Sequence, residues 1–294
     1  MTFKGGMQAG SNRFGRGGST GAKVGGGIGG LVIVVVALIF GINPSTLTGI
    51  VDQVSGGGTG STVTTEGSVA CPTSDTANDS VECRLEWTGR SLDAVWSQVL
   101  PEQAGIEYQA PGGVLFTDTV NTACGFASAA TGPFFCPGDG TSYFDTTFFN
   151  QLEQLGAGAG PLSQEYVVAH EWGHAIQTME GTIGLSDYNN PGEDSMAVKI
   201  ETQADCYAGL WAHHASQGED AFLEPITDQQ IRDVIQTAQA IGDDNIQRRS
   251  GGEVRPDQWT HGSSQQRAEA FMTGYQTGDM ARCDTLGRGA YANS

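Results

Sequence analysis

The sequence predicts an α+β fold, mostly helical with a small sheet, behind one N-terminal transmembrane helix. Three observations carry that expectation. Val24 to Ile42 is uncharged over 19 residues, just long enough to span a bilayer, and Leu31 to Phe40 within it is strongly apolar. Runs with strand character are short and confined to the stretch between Gly105 and Asp145. Beyond Ser163 the apolar residues recur at helical spacing, in segments that open on Ser or Thr and close on Gly.

In chain order, residues 1–23 contain Lys4, Arg13, Arg16 and Lys23 and no acidic residue. The excess of positive charge before the apolar segment places this basic tail in the cytoplasm, makes 24–42 the span and puts the rest outside the cell membrane. A cleaved secretory signal is the competing reading, because the apolar core of a signal is about this short. The 23-residue polar lead, and the lack of a small-x-small site before Asn43-Pro44, favour an anchor. Residues 43–70 form the expected stalk, rich in glycine and serine from Ser55 to Gly67, and the folded domain is expected over 71–294.

Within that domain Ser91 to Leu100 reads as a short capped helix. Gly105 to Gln109 and Gly113 to Thr117 read as strands split by Pro111-Gly112, and Ser142 to Asp145 as another, followed by a helix from Thr146 to Leu155. Ser163 can cap a helix that runs through Tyr166, Val167, Trp172 and Ile176 to a stop at Gly181. A second helix begins near Ser195, carries Ile200, Tyr207, Leu210 and Trp211, and ends near Gly218. Thr227 with Gln230, and Ser263 with Gln266, have capping-box spacing ahead of two further helices.

The candidate chemistry lies on the two central helices. His170-Glu171-Trp172-Gly173-His174 places two imidazoles four residues apart, about 40° apart around a helix, so both present to one point where a Zn²⁺ ion would sit. Trp172 points about 200° away from His170, into the core. Glu171 projects from nearly the same side as the imidazoles, placed to hold an attacking water and take its proton. A catalytic zinc keeps three protein ligands. Glu201, 27 residues after His174, is the candidate for the third, and Asp205, one turn later on the same face, can accept the other ring N–H of a ligating histidine. His213 and His214 lie roughly 18–20 Å along the helix from Glu201, too far to share its metal.

These residues resemble the thermolysin-like zinc peptidases with a glutamate third ligand, and more specifically the bacterial neutral zinc metallopeptidase family of membrane-anchored proteins. Four blocks carry the closer resemblance: Cys124-Gly125 through Gly132-Pro133-Phe134-Phe135-Cys136-Pro137, HEWGHAIQ from His170 to Gln177, ETQADCYAGLW from Glu201 to Trp211, and HGSSQQR from His261 to Arg267. They span roughly Glu86 to Tyr275. Thr202 and Gln265 depart from the family pattern without touching a proposed ligand. The resemblance implies a zincin-like metallopeptidase domain, one zinc per chain and a peptide or protein substrate, cleaved as by an endopeptidase. It also implies a catalytic role for His261, the only histidine outside the two motif helices, as an electropositive donor to the oxyanion of the reaction.

Composition sets the remaining bounds. Four of the 14 basic residues and none of the 33 acidic ones fall in the first 51 residues, which leaves ten against 33 beyond, a net charge of −23. That sign excludes nucleic acid as a partner, since phosphate binding needs the opposite. Six cysteines suit an exported domain. Cys71 with Cys83, Cys124 with Cys136, and Cys206 with Cys283 is the simplest pairing, although the sequence does not choose among the alternatives. Cys206 stands about 140° around its helix from Glu201, turned away from the metal. Two other functions share these features: a non-catalytic surface interaction module on the same scaffold, and a zinc hydrolase of a non-peptide amide. The intact Glu171 weighs against the first, because a structural zinc needs no general base.

Overall fold

The structure, a computed structural model, describes residues 2–17 and 65–291. The expected span, 24–42, and most of the expected stalk, 43–70, lie outside the described residues. Among the described residues no helix is long and apolar enough to cross a membrane.

The fold is α+β, with a helical body against a small sheet. Five short strands form that sheet: β1 (Gly15–Gly17), β2 (Thr65–Ser68), β3 (Gly112–Phe116), β6 (Phe134–Cys136) and β7 (Thr141–Asp145), in the order β2-β1-β3-β7-β6. β3 runs parallel to both β1 and β7, whereas β6 turns back antiparallel on β7 and forms the edge. A separate hairpin, β4 (Thr119–Thr122) with β5 (Gly125–Ser128), sits between β3 and β6 in the chain. Both central strands carry apolar side chains on both faces, Val114, Leu115 and Phe116 on β3 and Tyr143 and Phe144 on β7, as strands covered on two sides do.

The helices are α1 (Asp75–Asp79), α2 (Val81–Ala104), α3 (Phe148–Gln154), α4 (Pro161–Met179), α5 (Met196–Ala215), α6 (Asp228–Ala240), α7 (Asp243–Arg249) and α8 (Ser264–Thr277). Trp87, Trp96, Trp172 and Trp211 are at most 2% exposed and knit α2, α4 and α5 into one core. Burying one such side chain stabilises the fold by roughly 2–3 kcal/mol. The three disulfides are Cys71–Cys83, Cys124–Cys136 and Cys206–Cys283, the simplest pairing, and no cysteine is free.

Several local expectations change. The helix expected over 91–100 runs from Val81 to Ala104; its first turns carry Glu82, Arg84, Glu86 and Arg90, and Glu82 and Glu86 are met by Arg16 and by the Arg13 N–H from the N-terminal segment. Gly105 to Gln109 is not a strand. α4 starts at Pro161, a residue suited to the first helical turn, with Gly160 rather than Ser163 as its cap. Ser195, Thr227 and Ser263 do cap their helices, the last two with full capping boxes. Gly156 to Gly160 is a close-packed linker, since a Cβ at Gly158 would lie 2.4 Å from the Asp233 carbonyl oxygen of α6.

The largest change concerns the N terminus. The sequence reading separates a tail (1–23) from a domain starting at 71, yet residues 2–17 pack into the body and supply β1, and Thr65–Ser68 supplies β2. The folded body therefore includes part of the expected tail and the end of the expected stalk.

Candidate active site

α4 and α5 pack directly, and Gly173 is the reason they come so close. A Cβ there would lie 2.9 Å from the Ala204 Cα, a separation that side chains do not tolerate. This contact brings the outward faces of the two helices to a common point. His170 Nε2 is 3.2 Å from one carboxylate oxygen of Glu201, His174 Nε2 is 3.7 Å from the other, and all three ligand atoms lie within 4.8 Å of one another. Ligands at about 2.0–2.1 Å in a tetrahedral zinc site stand roughly 3.4 Å apart. The donor set, two imidazole nitrogens and a carboxylate, therefore fits a divalent metal in both chemistry and spacing.

The surroundings favour positive charge at that point. Burial disfavours protonation of His170, but Asp205 and Glu201 outweigh it and push its pKa up to about 10. Burial likewise opposes ionisation of Glu201, yet His261, His174 and His170 hold its carboxyl well below the usual range. A divalent cation held by His170, His174 and Glu201 would supply positive charge there in place of a proton.

Each imidazole is oriented through its other nitrogen. His170 Nδ1 faces Asp205 Oδ1 at 2.8 Å; Asp205 also accepts from the Tyr166 hydroxyl at 2.5 Å and from Arg267 at 2.9 and 3.0 Å. His174 Nδ1 faces Gln177 Oε1 at 2.8 Å, while the Gln177 amide donates to the Ile200 carbonyl and to Gln203. Gln203 in turn donates to the carbonyl of Cys283, tying this chain of bonds to the Cys206–Cys283 bridge. Such partners fix tautomer and ring angle, and losing one typically costs 10–100-fold in metal affinity.

Glu171 lines the same cleft. Burial pushes its carboxyl up, and His170 and His174 pull it partly back. The cleft has a volume of about 440 Å³, with walls that include Phe134, Phe135, Phe148, Ile241 and Ile246. His261 lies on it too, held by the loop that precedes α8. Its Nδ1 is 2.8 Å from the Thr260 hydroxyl and 3.5 Å from Asp243 Oδ1, which leaves Nε2 as the ring nitrogen available to the cleft. Asp243, the first residue of α7, gathers the loop by accepting the N–H groups of Thr260, His261 and Gly262.

The structure thus brings His170, Glu171, His174, Glu201 and His261 to one cleft, with Asp205 buried behind His170. Sequence reasoning missed four contributors there. Tyr188, from the turn-rich connection between the motif helices, donates its hydroxyl to Glu201 Oε1 at 2.9 Å. Gln177 and Arg267 sat inside recognised blocks without a role, and Asp243 gave no signal beyond an acid at a helix start. His213 and His214 stand away from the site; His213 Nδ1 and His214 Nε2 meet the Tyr275 and Gly278 carbonyls at the end of α8, and not those of their own helix.

The chain matches, over residues 6–286, the family described as "Putative neutral zinc metallopeptidase". It belongs to that family. Family relatives include an uncharacterized protein of Mycobacterium tuberculosis, 46% identical over 222 residues and covering 74% of each chain. The uncharacterized protein YpfJ of Escherichia coli is 35% identical over 278 residues, which cover 92% of this chain and 91% of its own. No solved structure matches.

Proposed function

We propose that this family member is an exported zinc endopeptidase. The observation that carries the reading is the convergence of His170, His174 and Glu201 on one point, with Glu171 beside them in an apolar cleft. Zinc at that point would polarise the scissile carbonyl and lower the pKa of the attacking water. Glu171 takes the proton from that water and returns it to the leaving amine. Its buried position, which raises its affinity for the proton, suits both halves of that task. Across the cleft His261 presents an N–H to the developing oxyanion, held in place through Asp243 and Thr260. The edge strand β6, with Phe134 and Phe135 on the cleft wall, suits an extended peptide that pairs through its backbone. Three disulfides in one body support folding in an oxidising compartment outside the cytoplasm.

The test is metal analysis of the purified chain together with an unbiased peptide-library digest, with and without chelator. One zinc per chain is expected, with cleavage that chelation abolishes and added zinc restores. His174→Ala is expected to release the metal; a full equivalent held with unchanged affinity would sink the ligand assignment. Cleavage of non-peptide amides with the peptide library untouched would move the substrate class.

Tyr188 and His261 separate in the same assays. Tyr188→Phe removes the hydroxyl that steadies Glu201, so zinc affinity is expected to fall by roughly 10-fold or more. His261→Ala is expected to keep its zinc while kcat drops by roughly 10²–10³, the usual effect of losing one oxyanion donor. An effect of His261→Ala on KM alone would assign it to substrate binding instead.

A further inference from the structure

Residues 2–17 are held against the body along their length. Phe3 and Phe14 are each 1% exposed. The Phe14 ring packs on Phe144 of β7 and on Trp172 of α4, with centroids 5.7 and 5.9 Å away. Two glycines make room for it: a Cβ at Gly89 of α2 would come within 2.6 Å of that ring, and one at Gly113 of β3 within 2.9 Å. Glu86 of α2, with no exposed surface, accepts the backbone N–H groups of Arg13 and Phe14 at 2.6 and 2.7 Å and the Arg90 guanidinium at 2.6 Å. Without the arm that buried carboxylate would keep only Arg90. β1 lies inside the sheet, between β2 and β3, so removing it would strip the edge of β3.

The basic residues of the arm have partners of their own here. Arg13 pairs with Asp93 at 2.5 Å and lies over the Trp172 ring at 4.9 Å, Arg16 pairs with Glu82 at 2.5 Å, and the Lys4 ammonium reaches the Glu219 carbonyl at 3.4 Å. Two of the charges that read as a signal for cytoplasmic retention, Arg13 and Arg16, are therefore paired with carboxylates of the body. A segment that crosses a bilayer once leaves its two flanking stretches of chain on opposite faces. Packed contacts of this kind cannot form through a bilayer.

We infer that residues 2–17 are an integral part of the catalytic body, and that arm and body stand on the same side of the membrane. The inference does not need the peptidase reading, because it rests on contacts of the arm with α2, β3, β7 and Trp172 and on none made by His170, His174 or Glu201.

Since all six cysteines are bridged, an introduced cysteine is the only thiol in the full-length chain. Gly10 is exposed with open space around it, and Glu253 is an exposed residue of the body. Gly10→Cys and Glu253→Cys are expected to react alike with a membrane-impermeant maleimide in intact spheroplasts, both labelled or both protected until lysis. Labelling of Glu253→Cys with Gly10→Cys protected until lysis would overturn the inference. In purified full-length protein, Phe14→Ala is expected to lower Tm by about 10 °C, with Phe14→Leu in between. An unchanged Tm in Phe14→Ala would show an undocked arm and overturn it equally.

Discussion

Glu171→Gln is expected to hold one zinc per chain and to lower kcat by about 10²–10⁴, the range that a positioned general base contributes. The ligand set explains the first half. His170, His174 and Glu201 are three donors already within 4.8 Å of one another, so the metal does not need the Glu171 carboxylate. The second half comes from chemistry, since a glutamine of the same shape can still bond to water yet cannot accept its proton. Because the side chain is buried and lines the cleft, the amide is expected to occupy the same space with little change in fold. The readout is kcat on a cleaved library peptide, with zinc measured on the same sample. Wild-type turnover in a zinc-loaded Glu171→Gln protein would remove the proposed mechanism, whereas loss of zinc would make Glu171 a ligand.

The parts of this molecule that were legible in the sequence are those in which spacing along a helix is geometry. His170, Glu171 and His174 share a face because residues four apart must, and Glu201 and Asp205 do so for the same reason. Ser195, Thr227 and Ser263 mark helix starts because their side chains satisfy backbone N–H groups locally. The illegible parts depend on contacts between distant segments. The first turns of α2 went unassigned because Glu82 and Glu86 are matched by the Arg16 guanidinium and by the backbone N–H groups of Arg13 and Phe14, 66 to 73 residues away. Gly89 leaves room for the Phe14 ring, a purpose set by a residue far along the chain. Tyr188 sits in a connection whose composition signals only a turn, so its bond to Glu201 had no local trace. The place of the arm was illegible for a related reason: Arg13 and Arg16 find Asp93 and Glu82 only once distant segments have packed together.

Asp205→Asn is expected to damage fold and metal site together, because one carboxylate serves both. Asp205 has no exposed surface and accepts from four donor atoms: the Tyr166 hydroxyl, His170 Nδ1 and two nitrogens of Arg267. Arg267 is itself only 4% exposed, so the substitution leaves a buried guanidinium without its anion. Breaking a buried pair in this way typically costs about 3–5 kcal/mol. His170 would also lose the charged acceptor that fixes its ring, and zinc affinity is expected to fall by roughly 10–100-fold. At saturating zinc that difference adds about 1.4–2.7 kcal/mol to the destabilisation, since a ligand stabilises the folded state in proportion to the logarithm of its affinity. Denaturant melts of the variant and the parent, each with chelator and with excess zinc, separate the two contributions. The gap between the proteins should be wider with zinc than without. Arg267→Met in the Asp205→Asn background should recover part of the zinc-free loss, because it removes the stranded charge, and leave the affinity defect in place. Equal stability of variant and parent, both with chelator and with zinc, would mean that Asp205 neither balances Arg267 nor orients His170, and the link from α8 through α5 to His170 would have to be abandoned.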